Sequence, residues 1–352
     1  MIPLIRPIFP AHDVAIEHFL RSREARQFSN YGPAHEAVTA QLSGLTMGLA
    51  LPTISGTAAL EIALRVSFPA GARVALPDFT HTGTIVAVAR AGMVPVLFGV
   101  DDKTWCLRPR EIERSHGCGD VDGAIVVNPF GYGVDLAAWE NLSFSAGLPL
   151  VYDFAGAWGS TATARNPICY SLHATKNLGI GEGGVMVFGD GGAQFHAARR
   201  LMNFDTLPDR SIASLDGSNA KMDELRCAYL LAALEPGFRD RAAGRSAAKK
   251  IMLKIYRERL PGTWSPTMGP DSFPSLCVLG GLPATALEQA KTGATFRAYY
   301  PLLSRMPALA GVERISVSGD TMTTCCALPS DVTLDEAFKV IDIVCNFAGA
   351  AP

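Results

Sequence analysis

The chain has 352 residues, 48% of them hydrophobic, with 31 basic against 33 acidic side chains and a formal net charge of −2. That length exceeds one ordinary core and predicts a large domain with a smaller companion, while the balanced charge and the lack of any lysine–arginine block argue against nucleic-acid and membrane-surface roles. The opening Met1-Ile-Pro-Leu-Ile-Arg-Pro7 lacks the basic-then-apolar order of a signal peptide, and no apolar run reaches the roughly 18 residues of a membrane span, so a soluble cytoplasmic protein is expected.

From residue 47 to 190, short apolar runs alternate with helical patterns. Segments 47–53, 74–76, 94–100, 124–128 and 148–153 read as strands; 57–67, 82–90, 108–115 and 135–142 read as the helices between them. Parallel βαβ units are the economical topology, and such sheets bind ligands beyond the carboxyl ends of their strands. A further strand at 185–188 is followed by helical patterns at 193–203, 223–234 and 239–259, which Pro261-Gly-Thr-Trp-Ser-Pro266 interrupts. Two or three short strands and a last helix at 334–347 complete the pattern, with a frayed tail at 348–352. The expected division is a large cofactor-binding α/β domain over 1–235 and a small α+β domain over 236–352.

The eight cysteines show no paired metal spacing and read mostly as small core residues, with Cys325 and Cys326 on alternating faces of a strand. Seven scattered histidines include no His-x-x-x-His pair, so no metal site is expected.

Chemistry concentrates in three places. Lys176 stands between a strand-like Ile168-Cys-Tyr-Ser-Leu172 and the glycines of Gly179-Ile-Gly-Glu-Gly-Gly184, where a desolvated amine can lose its proton and attack an aldehyde. Asp153 ends an apolar strand, and Ser55-Gly-Thr-Ala58 opens a helix whose amides suit an anion. Read singly, these would be a solvated lysine, a turn-capping aspartate and an N-cap. Together, lysine, acid and phosphate cradle describe a pyridoxal 5'-phosphate site. The glycine run also satisfies the dinucleotide pattern Gly-x-Gly-x-x-Gly, but it leads into the strand at 185–188 instead of a helix, which argues against a dehydrogenase.

In order along the chain, Asn30-Tyr-Gly-Pro33, Ser55-Gly-Thr-Ala-Ala-Leu60, Pro77-Asp-Phe-Thr-His81, Ala91-Gly-Met-Val-Pro95, Asp153, the segment 171–184, Gly217-Ser-Asn219 and Arg297-Ala-Tyr-Tyr-Pro301 resemble the DegT/DnrJ/EryC1/StrS aminotransferases. The resemblance covers most of the chain and implies the fold-type I architecture, a large mostly parallel sheet flanked by helices with a smaller α+β C-terminal domain. It places the Schiff-base lysine at Lys176, the partner of the pyridine nitrogen at Asp153, phosphate contacts at Gly56, Thr57, Ala58 and Ser171, and a ring over the cofactor at His81. It also implies that Asn219 reaches the phosphate of a neighbouring subunit, hence a homodimer with shared sites.

Two positions depart from the family pattern. Where the acid motif usually carries Gln or His three residues on, to meet the cofactor's phenolic oxygen, this chain has Gly156; where relatives have a histidine at a strand end, it has Asn128. A water or a donor such as Asn128 is expected to meet that oxygen instead.

The resemblance implies an aminotransferase passing an amino group from glutamate or glutamine to a keto sugar, most plausibly nucleoside-diphosphate-linked. The alternatives are altered chemistry (dehydratase or lyase), a cyclitol or other carbonyl substrate, or a non-catalytic regulatory homologue. Substrate choice is expected in loops that include Asn30-Tyr-Gly-Pro33 and Arg297-Ala-Tyr-Tyr300.

Overall fold

The computed structural model describes residues 1–159, 163–189, 192–269 and 271–349. The last helix continues to Gly349, two residues past its expected end, and residues 350–352 of the expected frayed tail lie outside the described residues.

Two helices, α1 (His12–Glu24) and α2 (Pro33–Thr46), precede the alternating part of the chain. That part runs β1 (Leu49–Thr53), α3 (Gly56–Ser67), β2 (Arg73–Pro77), α4 (Thr82–Arg90), β3 (Val94–Phe98), α5 (Pro109–Gly117), β4 (Gly123–Val127), α6 (Leu136–Ala146), β5 (Leu150–Asp153), β6 (Ile168–Ser171) and β7 (Gly184–Phe188). Helices α7 (Gly192–Leu201), α8 (Glu224–Leu234) and α9 (Pro236–Arg259) follow. The remainder comprises β8 (Cys277–Leu279), α10 (Ala284–Gln289), β9 (Arg297–Ala298), β10 (Glu313–Arg314), β11 (Cys326–Leu328) and α11 (Leu334–Gly349).

Eight strands form one sheet in the order β1-β7-β6-β5-β4-β2-β3-β10, in which β7 alone runs against the others. Both faces are covered, as alternation along single strands shows. Ala124 and Val126 of β4 belong to one core and Ile125 to another; Leu150 and Tyr152 of β5 face the first core and Val151 the second. A three-stranded antiparallel sheet, β8-β11-β9, packs with α9 and α11 around a third core. This C-terminal region is laced into the large sheet: β10 pairs with β3, and buried Asp78 accepts the Ser304 and Ser318 amides at 2.7 and 3.0 Å.

Neither α1 nor α2 was expected, and the reason is local. Ala11 and Gly32 at their N-caps make no side-chain cap bond, so the usual start signal is missing. For α2 the cap comes from far away. Glu224, fully buried at the start of α8, accepts the Ala34 amide at 2.7 Å, the His35 amide at 3.1 Å and the Ser22 hydroxyl at 2.6 Å. A side chain at Gly32 would place Cβ 2.7 Å from the Glu224 carboxyl carbon, which accounts for glycine in Asn30-Tyr-Gly-Pro33.

The cysteines are free; six are buried, Cys118 and Cys345 exposed. Among the described residues no helix is long and apolar enough to cross a membrane.

Candidate active site

The carboxyl ends of β1, β2, β4, β5 and β6 open into one cavity of about 670 Å³, roofed on one side by the N-terminal segment through Leu4, Ile5 and Pro7. Lys176, Asp153, Ser171, His81, Gly56 and Thr57 all line it. Ala58 and Asn219 do not.

Asp153 is the last residue of β5 and is 5% exposed. One carboxylate oxygen accepts the Thr84 hydroxyl at 2.9 Å and the other the Ala155 amide at 3.1 Å. Thr80 and Thr84 share a 3.0 Å hydrogen bond; with the single Thr84 proton given to Asp153, Thr80 is the donor. Burial pushes the Asp153 pKa up, while the Ala155 amide, the Thr84 hydroxyl and the charges of Lys176 and His81 draw it back down. Among the described residues no cation lies within ion-pair distance of this carboxylate.

Lys176 follows a turn in which its own amide donates to His173 O at 2.8 Å. The residue as a whole is partly exposed, but its amine end is desolvated. Burial lowers the amine's pKa, and the Asp153 charge opposes that shift. A lysine held this way is neutral and nucleophilic over a wider pH range than a surface lysine.

The anion cradle is built by close approach. Ser55 caps α3 by accepting the Ala58 amide at 3.1 Å, so that amide is already used; the Gly56 and Thr57 amides, in the first turn, have no intrahelical acceptor. A Cβ on Gly56 would lie 2.9 Å from the Ser171 Cβ, and one on Gly184 would lie 2.4 Å from Ser55 O. Glycine at both positions lets the α3 terminus, β6 and β7 meet at van der Waals distance. The glycine run therefore serves strand packing, and the dinucleotide pattern does lead into a strand.

His81 caps α4, its Nδ1 accepting the Gly83 amide at 3.0 Å, which leaves the neutral ring's proton on Nε2. Burial, then the Lys176 charge, lowers its pKa. Its ring meets Tyr300 edge-on at 6.1 Å, and Tyr300 stacks on Phe130 at 4.9 Å. This aromatic wall was partly legible, because Arg297, Tyr299 and Tyr300 of the segment singled out for substrate choice do line the cavity, whereas Asn30-Tyr-Gly-Pro33 does not.

The two departures differ in their settings. A Cβ on Gly156 would lie 3.0 Å from Ser275 Oγ, 3.1 Å from Phe130 C and 3.2 Å from Gly131 N, a tight fit in which these neighbours would have to give by a few tenths of an ångström. Asn128, 4% exposed, accepts the Gly133 amide at 2.9 Å through Oδ1, while its Nδ2 protons have no partner among the described residues. It lines the same cavity.

Residues 12–345 match the model of the DegT/DnrJ/EryC1/StrS aminotransferase family. The chain belongs to that family. Protein Rv3402c of Mycobacterium tuberculosis is 32% identical over 271 residues, 73% of this chain and 64% of that protein. The UDP-N-acetyl-3-dehydro-alpha-D-glucosamine 3-aminotransferase of Acidithiobacillus ferrooxidans is 30% identical over 66% of this chain and 65% of its own length. The chain thus spans under two-thirds of the length of these relatives. In three dimensions it resembles a DegT DnrJ EryC1 StrS aminotransferase from Brucella abortus, with a TM-score of 0.81 at 19% identity over 96% of each chain. That likeness establishes the fold-type I architecture.

Members of the DegT/DnrJ/EryC1/StrS family work with pyridoxal 5'-phosphate. The residues present fit that group: a buried carboxylate lacking a cation, a desolvated lysine across the same cavity, and two free amides beside Ser171. Sequence reasoning missed Thr80, Thr84 and the N-terminal roof. Thr84 sits one turn into α4, which the pattern placed correctly; nothing in the pattern showed that this turn faces Asp153.

Proposed function

We propose that the protein is a pyridoxal-phosphate-dependent aminotransferase that moves an amino group from glutamate or glutamine to a keto sugar carried on a nucleoside diphosphate. The observation that carries this reading is the pairing of Lys176 and Asp153 across one cavity with the α3 N-terminus beside them. Bound, the cofactor supplies an electron sink and a temporary home for the amino group. Lys176 would hold the cofactor's aldehyde carbon, and its amine would be the base that takes up and returns a proton. Asp153 keeps the ring nitrogen protonated, with Thr84 and the Ala155 amide fixing the carboxylate. Gly56, Thr57 and Ser171 hold the phosphate, and His81 covers the ring. Asn128, whose Nδ2 protons have no partner among the described residues, or a water would be the donor for the phenolic oxygen at which Gly156 offers no side chain.

The sugar part of the reading draws on the Acidithiobacillus relative, whose name specifies a UDP-linked keto sugar. Mass spectrometry of products from a panel of nucleotide-linked keto sugars, with glutamate and glutamine as donors, tests it; a mass gain corresponding to amine replacing ketone is expected. No amination of any member, alongside amination of a free cyclitol ketone, would replace the sugar nucleotide with the cyclitol.

Asn219 is exposed, outside the cavity, with its side chain held by Lys221 Nζ at 2.6 Å. In a homodimer with shared sites it completes the partner's phosphate cradle. Mixing inactive Lys176→Ala subunits with inactive Asn219→Ala subunits then restores activity in the heterodimer, and verified exchange without rescue rejects sharing.

A further inference from the structure

Lys249, midway along α9, is 1% exposed. A cation that deep needs partners, and it has two: Nζ donates to Asn177 Oδ1 at 2.9 Å and lies 3.3 Å from Asp331 Oδ1. Asn177 is the residue after Lys176, also 1% exposed, and its Nδ2 donates to Pro274 O at 3.0 Å. Lys176 is therefore flanked by two anchors, its own amide bond to His173 O and the clamped side chain of its neighbour.

The far end of the network reaches the cavity roof. Asp331 also binds the Arg245 guanidinium and accepts the Arg6 amide at 3.2 Å, and its carbonyl accepts Arg6 Nη1 at 2.7 Å. Ile5 and Pro7, on either side of Arg6, line the cavity that Lys176 enters. A single carboxylate–ammonium pair thus ties together α9, the turn bearing Lys176 and the segment above it.

We infer that Lys249 is a positioning residue for Lys176: through Asn177 it fixes the backbone from which the reactive amine extends, and through Asp331 it holds that turn in register with the N-terminal roof. The inference rests on the reading of Lys176 as the cofactor lysine. Its physical basis is that a displacement of about 1 Å from a change remote from the chemistry can lower a rate by about 10²-fold.

Lys249→Met tests it, because methionine keeps most of the stem's volume and leaves the Asp331 carboxylate its ion pair with Arg245 and its bond from the Arg6 backbone amide. Wild-type protein is first reduced with borohydride in the presence of cofactor and the modified peptide mapped. Cofactor is then added to cofactor-free wild type and variant, and the rate of adduct formation is followed by absorbance. A fall of about 10- to 100-fold in that rate is expected, with a matching fall in kcat and little change in the donor's KM. Amide hydrogen exchange should quicken over residues 172–180 while β4 and β5 keep their protection. Asn177→Ala, which leaves the Lys249–Asp331 pair intact, should give the same slowing, and the double variant should be no slower than the slower single one. If Lys249→Met does not fold, Asn177→Ala decides alone. Label on Lys176 in the wild type with capture within twofold of normal in the folded variants overturns this inference only. Label on another lysine overturns the reading of Lys176 and this inference with it.

Discussion

Two lysine–aspartate couples among the described residues differ in what surrounds them. Lys249 and Asp331 are paired directly: the ammonium meets the carboxylate and Asn177, and the carboxylate also takes the Arg245 guanidinium and the Arg6 backbone amide. Lys176 and Asp153 feel each other's charge, but among the described residues the carboxylate takes only two neutral donors; burial lowers the pKa of both lysines, so the couples differ in their partners and not in that shift. The same residue types therefore give a strut in one place and, on the proposed function, a reaction centre in the other. What separates them is whether the protein itself finishes the pairing.

The sharpest way to break this contrast is to exchange the roles by mutation. On the proposed function Lys176→Ala removes anchor and proton carrier together, and transamination should fall by at least about 10³-fold, within the range a positioned base supplies. Its cofactor-free form should melt at or above the wild-type temperature, since no saturated pair is lost. Asp331→Ala should behave in the reverse manner. It strands Lys249 and Arg245 without their carboxylate, and breaking a buried pair from one side destabilises by about 3–5 kcal/mol. Denaturant unfolding that shows less than about 1 kcal/mol for Asp331→Ala would mean that the second couple is not a strut.

Asp153→Asn probes the incomplete couple. Cofactor affinity should fall by about 10- to 100-fold, the scale of a hydrogen bond to a charged group at about 1.5–3 kcal/mol. The stability of the cofactor-free protein should move the other way, with a definite pH dependence. Because burial raises the folded pKa of Asp153 above its ordinary 3.8, the folded state holds its proton more tightly, so this group's contribution to stability declines as pH rises from 3.8 through the raised value. The variant lacks that decline. The difference in stability between Asp153→Asn and wild type should therefore shift in the variant's favour over that interval and be flat above it. A difference that does not vary with pH would show that Asp153 is not desolvated.

The contrast also explains what could be read without coordinates. Strands β1 to β7 and helices α3 to α6 follow from apolar periodicity; Asp153 and Ser55 stand at the ends of those elements and Lys176 in the loop that joins β6 to β7, so position in the pattern and position in space coincide. Lys249 offered no such cue. It lies in a polar-faced helical run, and its partners are 72 and 82 residues away in sequence. Helix α2 failed for the same reason, since its cap, Glu224, comes from 190 residues downstream. Gly156 was visible as a missing side chain, but its setting, the backbone of Phe130–Gly131 close against it, is a tertiary fact. Residues that act through chain order were legible; those that act through long-range contact were not.

The finest test of the incomplete couple is Thr84→Val. Valine matches threonine in shape, so α4 should keep its packing against the sheet, and only the hydroxyl between Thr80 and Asp153 is lost. Asp153 then keeps the Ala155 amide alone, and with one fewer bond to its ionised form its pKa rises further. A carboxylate that ionises less readily holds a ring cation less firmly. The expected result is a fall of about tenfold in cofactor affinity, corresponding to about 1.4 kcal/mol, with Lys176 still labelled by borohydride at saturating cofactor. Thr80→Val removes the donor one step farther out and should have a smaller effect in the same direction, because the Thr84 proton still reaches Asp153. Equal effects from the two variants would mean that the direct Thr84 bond is worth no more to the carboxylate than the Thr80 hydroxyl behind it, and Thr84 would lose its place as the donor that sets Asp153.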